Sequence, residues 1–176
     1  MTIESIQVGM LNTNCYILGI DNEVLVIDPG YNFEGIKKII GNRVVAGIII
    51  THYHFDHIGA LDELKEYSSA KVYDYSNLNE GINKIGLFGF ECIPTPGHKE
   101  DLISIYFKKE NVLFCGDFIF EGTIGRCDLD GGNFEEMKKS IKKILTYPLD
   151  MTIYPGHGEL TTLGREKDSL EYWLIN

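Results

Sequence analysis

The sequence predicts an α+β fold in which two β-sheets pack together and helices cover their outer faces. Short β-rich runs separated by Gly, Asn and Asp fill the first 27 residues. The run Val44–Ile50 is apolar throughout, which is typical of a strand buried on both faces. Further along, strands and helices follow one another without strict βαβ alternation, and this order favours two packed sheets.

The individual elements follow from the spacing of apolar residues. Asn32 is a predicted cap for the first helix, and a second helix begins near Asp56 or His57. Asn133 with Glu136 resembles a capping box that opens a third helix. The helical faces comprise Phe33, Ile36 and Ile40; Ile58, Leu61 and Leu64; Phe134, Met137, Ile141, Ile144 and Leu145; and Leu170, Trp173 and Leu174. Strands are predicted at Ile3–Val8, Asn14–Leu18, Glu23–Ile27, Val44–Ile50, Lys71–Tyr73, Phe90–Ile93, Leu102–Phe107, Val112–Cys115 and Met151–Tyr154.

Length, charge and cysteine content narrow the class of protein. A chain of 176 residues with 44% apolar residues can build one domain, predicted to span residues 1–176. Its formal net charge of −10 repels phosphate backbones and anionic membranes, so neither is an expected partner. No signal peptide or bilayer-spanning run is visible. The four cysteines form no Cys-x-x-Cys pair, and the expected location is the cytoplasm.

All five histidines lie in contexts that suit metal ligation. His52, His54 and His57 fall within six residues, together with Asp56. Residues two apart on an extended chain face the same side, so His52 and His54 should point together. On that pattern Asp56 continues the alternation and His57 points elsewhere. A cluster that faces two directions suits two metal ions better than one.

The remaining candidate ligands come from distant segments of the chain. His98 and His157 each follow Pro-Gly, and Asp117 follows Gly116, whose missing side chain allows a close backbone approach. Each candidate segment comes just after a predicted strand, so loops at one edge of the sheets can converge. Neutral imidazole and carboxylate oxygen are ligands that zinc, manganese and iron accept.

Several motifs together resemble the ordered motif set of the metallo-β-lactamase superfamily. The similarity extends from Asn14-Cys15-Tyr16 to Glu166, which is nearly the whole chain. The segment 122–132 is similar to one found in glyoxalase II-like (hydroxyacylglutathione hydrolase-like) hydrolases. The motifs that carry the resemblance are Asp28-Pro29-Gly30, Thr51-His52-Tyr53-His54-Phe55-Asp56-His57, Thr95-Pro96-Gly97-His98, Gly116-Asp117 and Tyr154-Pro155-Gly156-His157-Gly158.

This resemblance implies a four-layer αβ/βα sandwich of two mixed β-sheets with outer helices, and a dinuclear metal site. The expected cofactors are two divalent metal ions, with zinc favoured and iron or manganese also compatible. Asp28 either orients the cluster from behind or is the turn after a strand. The implied ligands are His52, His54 and His98 for the first metal, Asp56, His57 and His157 for the second, and Asp117 as the bridge between them.

The implied reaction is hydrolysis of a thioester, or of a related small-molecule ester, by a metal-bound hydroxide. Asp56 and Asp117 are the expected catalytic residues because they hold the metals that activate this water. Arg126 aligns with a basic residue that holds glutathione in glyoxalase II, so it is a candidate substrate contact. A salt bridge of Arg126 with Asp128 or Asp130 is the structural alternative.

Other functions and partners stay open at this point. Larger glyoxalase II enzymes carry a C-terminal helical domain that contacts glutathione, and this chain is predicted to lack it. A small molecule is the expected substrate, and a partner subunit of a homo-oligomer could complete its pocket. The alternatives are a persulfide dioxygenase with a single iron and a non-catalytic metal-binding scaffold. A β-lactamase and a nuclease are disfavoured by the missing export signal and the negative charge.

Overall fold

The computed structural model describes residues 1–175, which form two mixed β-sheets flanked by helices. In the first sheet, three strands pair antiparallel and the last two join them in parallel. In spatial order, this sheet comprises β1 (Thr2–Val8), β2 (Thr13–Ile20), β3 (Glu23–Ile27), β4 (Val44–Ile49) and β5 (Val72–Tyr73).

The second sheet has six strands in the order β13-β12-β9-β8-β7-β6. The β12–β9 pair is parallel, and the other pairs are antiparallel. A two-stranded hairpin of β10 (Ile119–Phe120) and β11 (Thr123–Ile124) stands apart. The strands of the second sheet are β6 (Gly81–Ile85), β7 (Phe88–Pro94), β8 (Ile103–Phe107), β9 (Val112–Gly116), β12 (Thr152–Pro155) and β13 (Thr161–Thr162).

The helices are divided between the outer faces of the two sheets. Residues of α1 and α3 pack with one face of the first sheet, and residues of α4 and α5 pack with one face of the second. A third apolar cluster lies between the sheets. The predicted four-layer αβ/βα sandwich is therefore confirmed. The helices are α1 (Phe33–Ile40), α2 (Phe55–Ile58), α3 (Leu61–Ser68), α4 (Phe134–Ile144) and α5 (Leu163–Ile175).

The apolar strand β4 is buried on both faces over its second half, as predicted, whereas Val44 at its start is exposed. Ile49 belongs to the core between the sheets, whereas Ile48 and Ile50 pack in the helical layer of the first sheet. Its neighbour β3 is divided in the same way, with Leu25 facing one layer and Val24 the other. Successive side chains on a strand face opposite sides, so a strand between two apolar layers must be apolar throughout.

One helix prediction needs correction. The helix predicted from Asp56 or His57 onward is two helices, because the chain breaks at Gly59 and Ala60. The Ala60 N–H donates to the Pro29 carbonyl (2.9 Å), which ties the break to the turn after β3. Short strands β6, β10, β11 and β13 were not predicted.

Only half of the predicted capping box at the start of α4 is formed. The Asn133 side chain accepts the Glu136 N–H (3.1 Å), as expected for an N-cap. The Asn133 N–H instead donates to the Gly97 carbonyl (2.7 Å). This bond ties α4 to the loop that carries His98. No helix among residues 1–175 is long and apolar enough to span a bilayer.

All candidate metal ligands follow the carboxyl ends of β4, β7, β9 and β12, in loops or, for Asp56 and His57, in the short helix α2. The last three strands run in the same direction, so these ends meet at one edge of the second sheet. The Ile103 N–H donates to the Thr51 carbonyl (3.0 Å) and links the second sheet to the loop after β4. The prediction that four post-strand loops converge is correct.

Gly97 should be required for the contact between the His98 loop and α4. It has a φ of +151°, and a Cβ there would lie 2.6 Å from the Met137 Cα. We expect Gly97→Ala to lower the free energy of unfolding by about 3–4 kcal/mol in urea denaturation, because helical backbone must move. Gly41→Ala is the control, since Gly41 also has positive φ (+62°) but nothing within 4 Å. The control substitution should lower the free energy of unfolding by about 1 kcal/mol. Equal losses of stability in the two variants would contradict the prediction.

Candidate metal centre

The seven predicted ligands lie together in two adjoining groups. Within each group, one ligand atom of every residue lies within 4.8 Å of those of the others. His54 and His157 are half-buried, and the other five residues are buried. The first group consists of His52, His54, His98 and Asp117, and the second consists of Asp56, His57 and His157.

In the first group, the imidazole nitrogens approach one another closely. His54 Nδ1 lies 3.0 Å from His52 Nε2 and 2.9 Å from His98 Nε2. Asp117 Oδ2 lies 3.5 Å from His98 Nε2 and 4.0 Å from His52 Nε2. Four potential electron-pair donors therefore surround one small volume.

Hydrogen bonds on the far side of two of these rings determine which nitrogen carries the proton. His98 Nδ1 donates to the Arg126 carbonyl (2.7 Å), because a carbonyl oxygen can only accept. The Thr51 hydroxyl donates to Asp28 (2.6 Å) and so accepts from His52 Nδ1 (3.2 Å). When each ring carries its single proton on Nδ1, Nε2 presents a lone pair to the centre of the group. Converging lone pairs are the arrangement that a metal ion requires.

The second group combines two imidazoles with a carboxylate. His157 Nε2 lies 3.2 Å and His57 Nε2 3.4 Å from Asp56 Oδ2. The far nitrogens are again held, since His57 Nδ1 donates to Asp28 (2.9 Å) and His157 Nδ1 to the Leu11 carbonyl (3.0 Å). The Thr13 hydroxyl donates to Asp56 Oδ2 (2.7 Å).

Two buried atoms in this region have no hydrogen-bond partner, His57 Nε2 and Asp117 Oδ1. They lie 3.3 Å apart. An unpaired polar atom in the interior is costly, and native proteins rarely leave one without a reason. Two such atoms facing each other fit a site completed by a cation, so the residues present suit a bound metal ion.

The electrostatics of the second group favour positive charge. Burial alone would lower the pKa of His57, but the charge of Asp28 and the contact with Asp117 raise that pKa to about 10. Burial likewise opposes protonation of His157, and hydrogen bonds to Asp117 and Asp56 raise its pKa to about 9. The carboxylates therefore stabilise a cation at this position.

In the first group, by contrast, the pKa values of two imidazoles are lowered. Burial, followed by repulsion from His57, lowers the pKa of His52. Burial, followed by repulsion from His98, lowers the pKa of His54. Neutral imidazoles are the form that ligates metals, so these two rings are already in the ligating state.

Asp117 joins the two groups. Its Oδ2 lies 3.5 Å from both His98 Nε2 and His157 Nε2, and its Oδ1 faces His57. Gly156 lies against this carboxylate, and a Cβ there would come 2.1 Å from Asp117 Oδ1. The Pro-Gly-His sequence therefore supplies both a ligand and the space in which the bridging carboxylate fits.

Asp28 holds one ligand of each group in position, as one of the two sequence interpretations proposed. Its Oδ1 accepts the Thr51 N–H (2.8 Å), and its Oδ2 accepts from both Thr51 and His57. Through Thr51 this carboxylate orients His52, and directly it orients His57. Asp28 is 2% exposed and has a φ of +52°, so the turn after β3 aims the carboxylate inward.

One geometric expectation about the histidine cluster is wrong. Asp56 does not continue the extended alternation of His52 and His54, because the chain turns into α2 directly after His54. Asp56 and His57 therefore share the first turn of a helix and both face the second group.

Arg126 forms a salt bridge with Asp128, which was the structural alternative to a substrate contact. Its guanidinium forms two hydrogen bonds with the Asp128 carboxylate (2.7 and 2.8 Å), and both side chains are exposed. Its backbone carbonyl contributes to the centre through His98. The contact with a substrate anion stays a prediction.

Several residues that position the ligands were not predicted. Thr13 and Thr51 contact ligands or Asp28 through their hydroxyls, and Leu11 contributes only a carbonyl. The position of Thr51 beside His52 is a signal that could have indicated it. A backbone carbonyl has no side-chain signature, so nothing in the sequence marks Leu11.

Curated relatives match nearly the whole chain. A family model described as the metallo-β-lactamase superfamily matches residues 8–80 and 74–157. The probable metallo-hydrolase YqgX of Bacillus subtilis (strain 168) is 35% identical, over 92% of each chain. The hydroxyacylglutathione hydrolase GloC of Haemophilus influenzae is 31% identical, over 96% of each chain.

Several solved structures are also similar to this chain over nearly its whole length. The chain superposes on the BLEG-1 B3 metallo-β-lactamase with a TM-score of 0.91 at 34% identity, covering 99% of this chain and 100% of that one. For TTHA1623 in a di-iron-bound form, the TM-score is 0.86 at 28% identity, with coverages of 94% and 98%. For ETHE1 from Myxococcus xanthus it is 0.87 at 25% identity, with coverages of 100% and 86%. The chain belongs to the metallo-β-lactamase superfamily.

Proposed function

We propose that the protein is a dinuclear metal-dependent hydrolase that cleaves small-molecule thioesters. One observation carries the proposal. Seven imidazole and carboxylate groups form two adjoining sets that share Asp117, and two of their buried atoms, His57 Nε2 and Asp117 Oδ1, lack any other partner. Such an arrangement has no structural purpose of its own, because it leaves two buried polar atoms without a hydrogen bond.

The donor atoms define the class of metal. Nitrogen and oxygen ligands of this kind suit zinc, iron and manganese, and we propose zinc as the resident metal. The di-iron form of TTHA1623 supports two ions in one centre of this type. Bound at the two groups, such ions supply Lewis-acid activation of water and of a carbonyl oxygen.

The chain's own residues prepare the centre for this chemistry. Asp28 and the carbonyls of Arg126 and Leu11 hold imidazoles in ligating orientations, so these rings need not reorganise when substrate arrives. The more exposed ligands, His54 and His157, mark the side of the centre that a substrate can reach.

Hydrolysis of a thioester suits a centre that offers no dedicated proton donor to the leaving group. Water adds to the acyl carbon, a C–O bond forms and the C–S bond breaks, giving a carboxylate, a thiol and one proton. A thiolate is an acceptable leaving group because thiols are acidic, with a pKa of about 8.5. The name of the relative GloC, a hydroxyacylglutathione hydrolase, supports thioesters as the substrate class.

Zinc-loaded protein should hydrolyse an acyl-glutathione thioester, and chelation of the metal should abolish turnover, because the protein offers only ligands where water must be activated. The measurement follows thiol release with and without a chelator, with zinc added back as the control. Oxygen consumption with glutathione persulfide, together with one iron per chain, would instead establish the dioxygenase alternative. Stoichiometric metal without either activity would favour a non-catalytic scaffold.

Removing one ligand from each group should give different metal contents. We expect His57→Ala to reduce bound zinc from about two equivalents to about one, because it removes a ligand of the second group only. His54→Ala is the matched variant, since it should weaken the first group. Metal analysis after gel filtration measures the outcome, and cobalt substitution shows which coordination sphere is retained. Equal loss of both metals in His57→Ala would contradict the division into two groups.

Replacing Asp28 by Asn should weaken metal binding without removing a ligand. The amide offers a donor where His57 Nδ1–H and the Thr51 hydroxyl need acceptors, so the rings lose their orientation. We expect a 10–100-fold loss of zinc affinity in chelator competition. Asp21→Asn is the control, because Asp21 also ends a strand at φ +52° but is exposed. Unchanged affinity in Asp28→Asn would show that the contact is incidental.

A further inference from the structure

An apolar groove opens beside the second group of ligands. It has a volume of about 430 Å³ and is lined by the β1–β2 turn, the turn after β3 and the start of α2. Four apolar or aromatic side chains expose much of their surface there: Met10 (98%), Leu11 (53%), Tyr31 (40%) and Phe55 (64%). A folded protein gains nothing from exposing such side chains together, so their clustering indicates a binding surface.

The wall of the groove is held rigidly by its neighbours. The Tyr31 ring lies between two glycines, and a Cβ would come within 2.6 Å of it at Gly9 and 2.8 Å at Gly59. The ring therefore lies directly against backbone on both sides. A preformed wall binds an apolar group without first having to become ordered.

The groove is continuous with the metal centre. Asp56, a ligand of the second group, lines it, and the Leu11 carbonyl holds His157 Nδ1. Phe55 lies in the chain between His54 and Asp56, so one segment supplies both ligands and groove wall. A molecule whose reacting carbonyl lies at the centre can therefore extend its apolar part into the groove.

The charges around the groove indicate which part of a substrate fits. Of the described residues that line it, only Asp56 is charged, and that carboxylate is already engaged by Thr13, His57 and His157. A glutathione moiety, which carries two carboxylates, would find no cation there. An uncharged hydrocarbon chain would make apolar contacts there, and removing its surface from water would be favourable.

We propose that this groove binds the acyl chain of the substrate and that the preferred thioesters carry an apolar acyl group longer than acetyl. A volume of about 430 Å³ is at the lower end of small-molecule sites. The inference rests on the proposed thioester hydrolysis and adds its acyl specificity. The reaction is unchanged: the C–S bond breaks, the C–O bond forms, and the acyl chain stays in the groove.

The test uses the zinc-loaded full chain with acetyl, butanoyl, hexanoyl and octanoyl thioesters of N-acetylcysteamine. The thiol is the same throughout, so differences in kcat/KM report on the acyl group alone. Each methylene that becomes buried should raise kcat/KM roughly two- to fourfold until the groove is full. The octanoyl-to-acetyl ratio should therefore exceed tenfold.

Variants identify the groove as the source of this preference. Phe55→Ala and Met10→Ala should each reduce the octanoyl-to-acetyl ratio at least threefold, because each removes wall surface. Both side chains are exposed, so neither change should prevent folding. Ile82→Ala is the matched control, since Ile82 is 81% exposed on β6 at the edge of the other sheet. Its ratio should equal that of the unchanged protein.

Calorimetry with acetate and octanoate separates this inference from the proposed function. Octanoate should bind at least tenfold more tightly than acetate, and Phe55→Ala should remove the difference. Hydrolysis that is independent of chain length would overturn the groove assignment and leave thioester hydrolysis intact. No hydrolysis of any thioester, combined with selective octanoate binding, would overturn the proposed function and retain the groove. A dimer that Met10→Asp converts to a monomer would show that a second copy covers this surface, and the inference would be wrong.

Discussion

The metal centre depends on one buried carboxylate, that of Asp28. This side chain accepts the Nδ1 proton of His57 and, through Thr51, determines which nitrogen of His52 carries a proton. One residue therefore orients a ligand in each group. Its position follows from the first sheet, because β3 and β4 are parallel neighbours whose register places Ile27 beside Ile49. The turns after these strands are thereby adjacent, and a slip in register would separate the carboxylate from the rings that it orients.

Gathering so many electron-pair donors is unfavourable unless a cation binds them. Each buried polar atom without a partner costs about 1–3 kcal/mol, and His57 Nε2 and Asp117 Oδ1 are two such atoms. The apolar layers on either side of both sheets stabilise the fold against this cost. A ligand that binds only the folded state adds to stability, so a metal ion bound at this centre would stabilise the fold.

The clustering of the candidate ligands could be predicted from the sequence because its signal is local and chemically specific. Three histidines in six residues and two Pro-Gly-His segments indicate a metal site directly, and strand β4 is recognisable because it is apolar throughout. The supporting contacts could not be predicted in the same way. Leu11 and Arg126 act through carbonyls, which every residue possesses. The break between α2 and α3 arises from packing against the turn after β3, and tertiary contacts of this kind leave no periodic pattern.

The surroundings of the two groups differ in polarity, and under the proposed function this difference would orient a substrate. The backbone carbonyl of Arg126 lies beside the first group, and its guanidinium is exposed and paired with Asp128. Exposed ion pairs contribute little in water, so a substrate carboxylate could replace Asp128 at small cost. Beside the second group lies the apolar groove with Phe55, which offers no cation. Under the proposed function, a thioester with an anionic thiol part and an apolar acyl part would bind in one direction, with the acyl part in the groove and the thiol part away from it. The reverse direction would place carboxylates against hydrocarbon, which costs their hydration without any compensating contact.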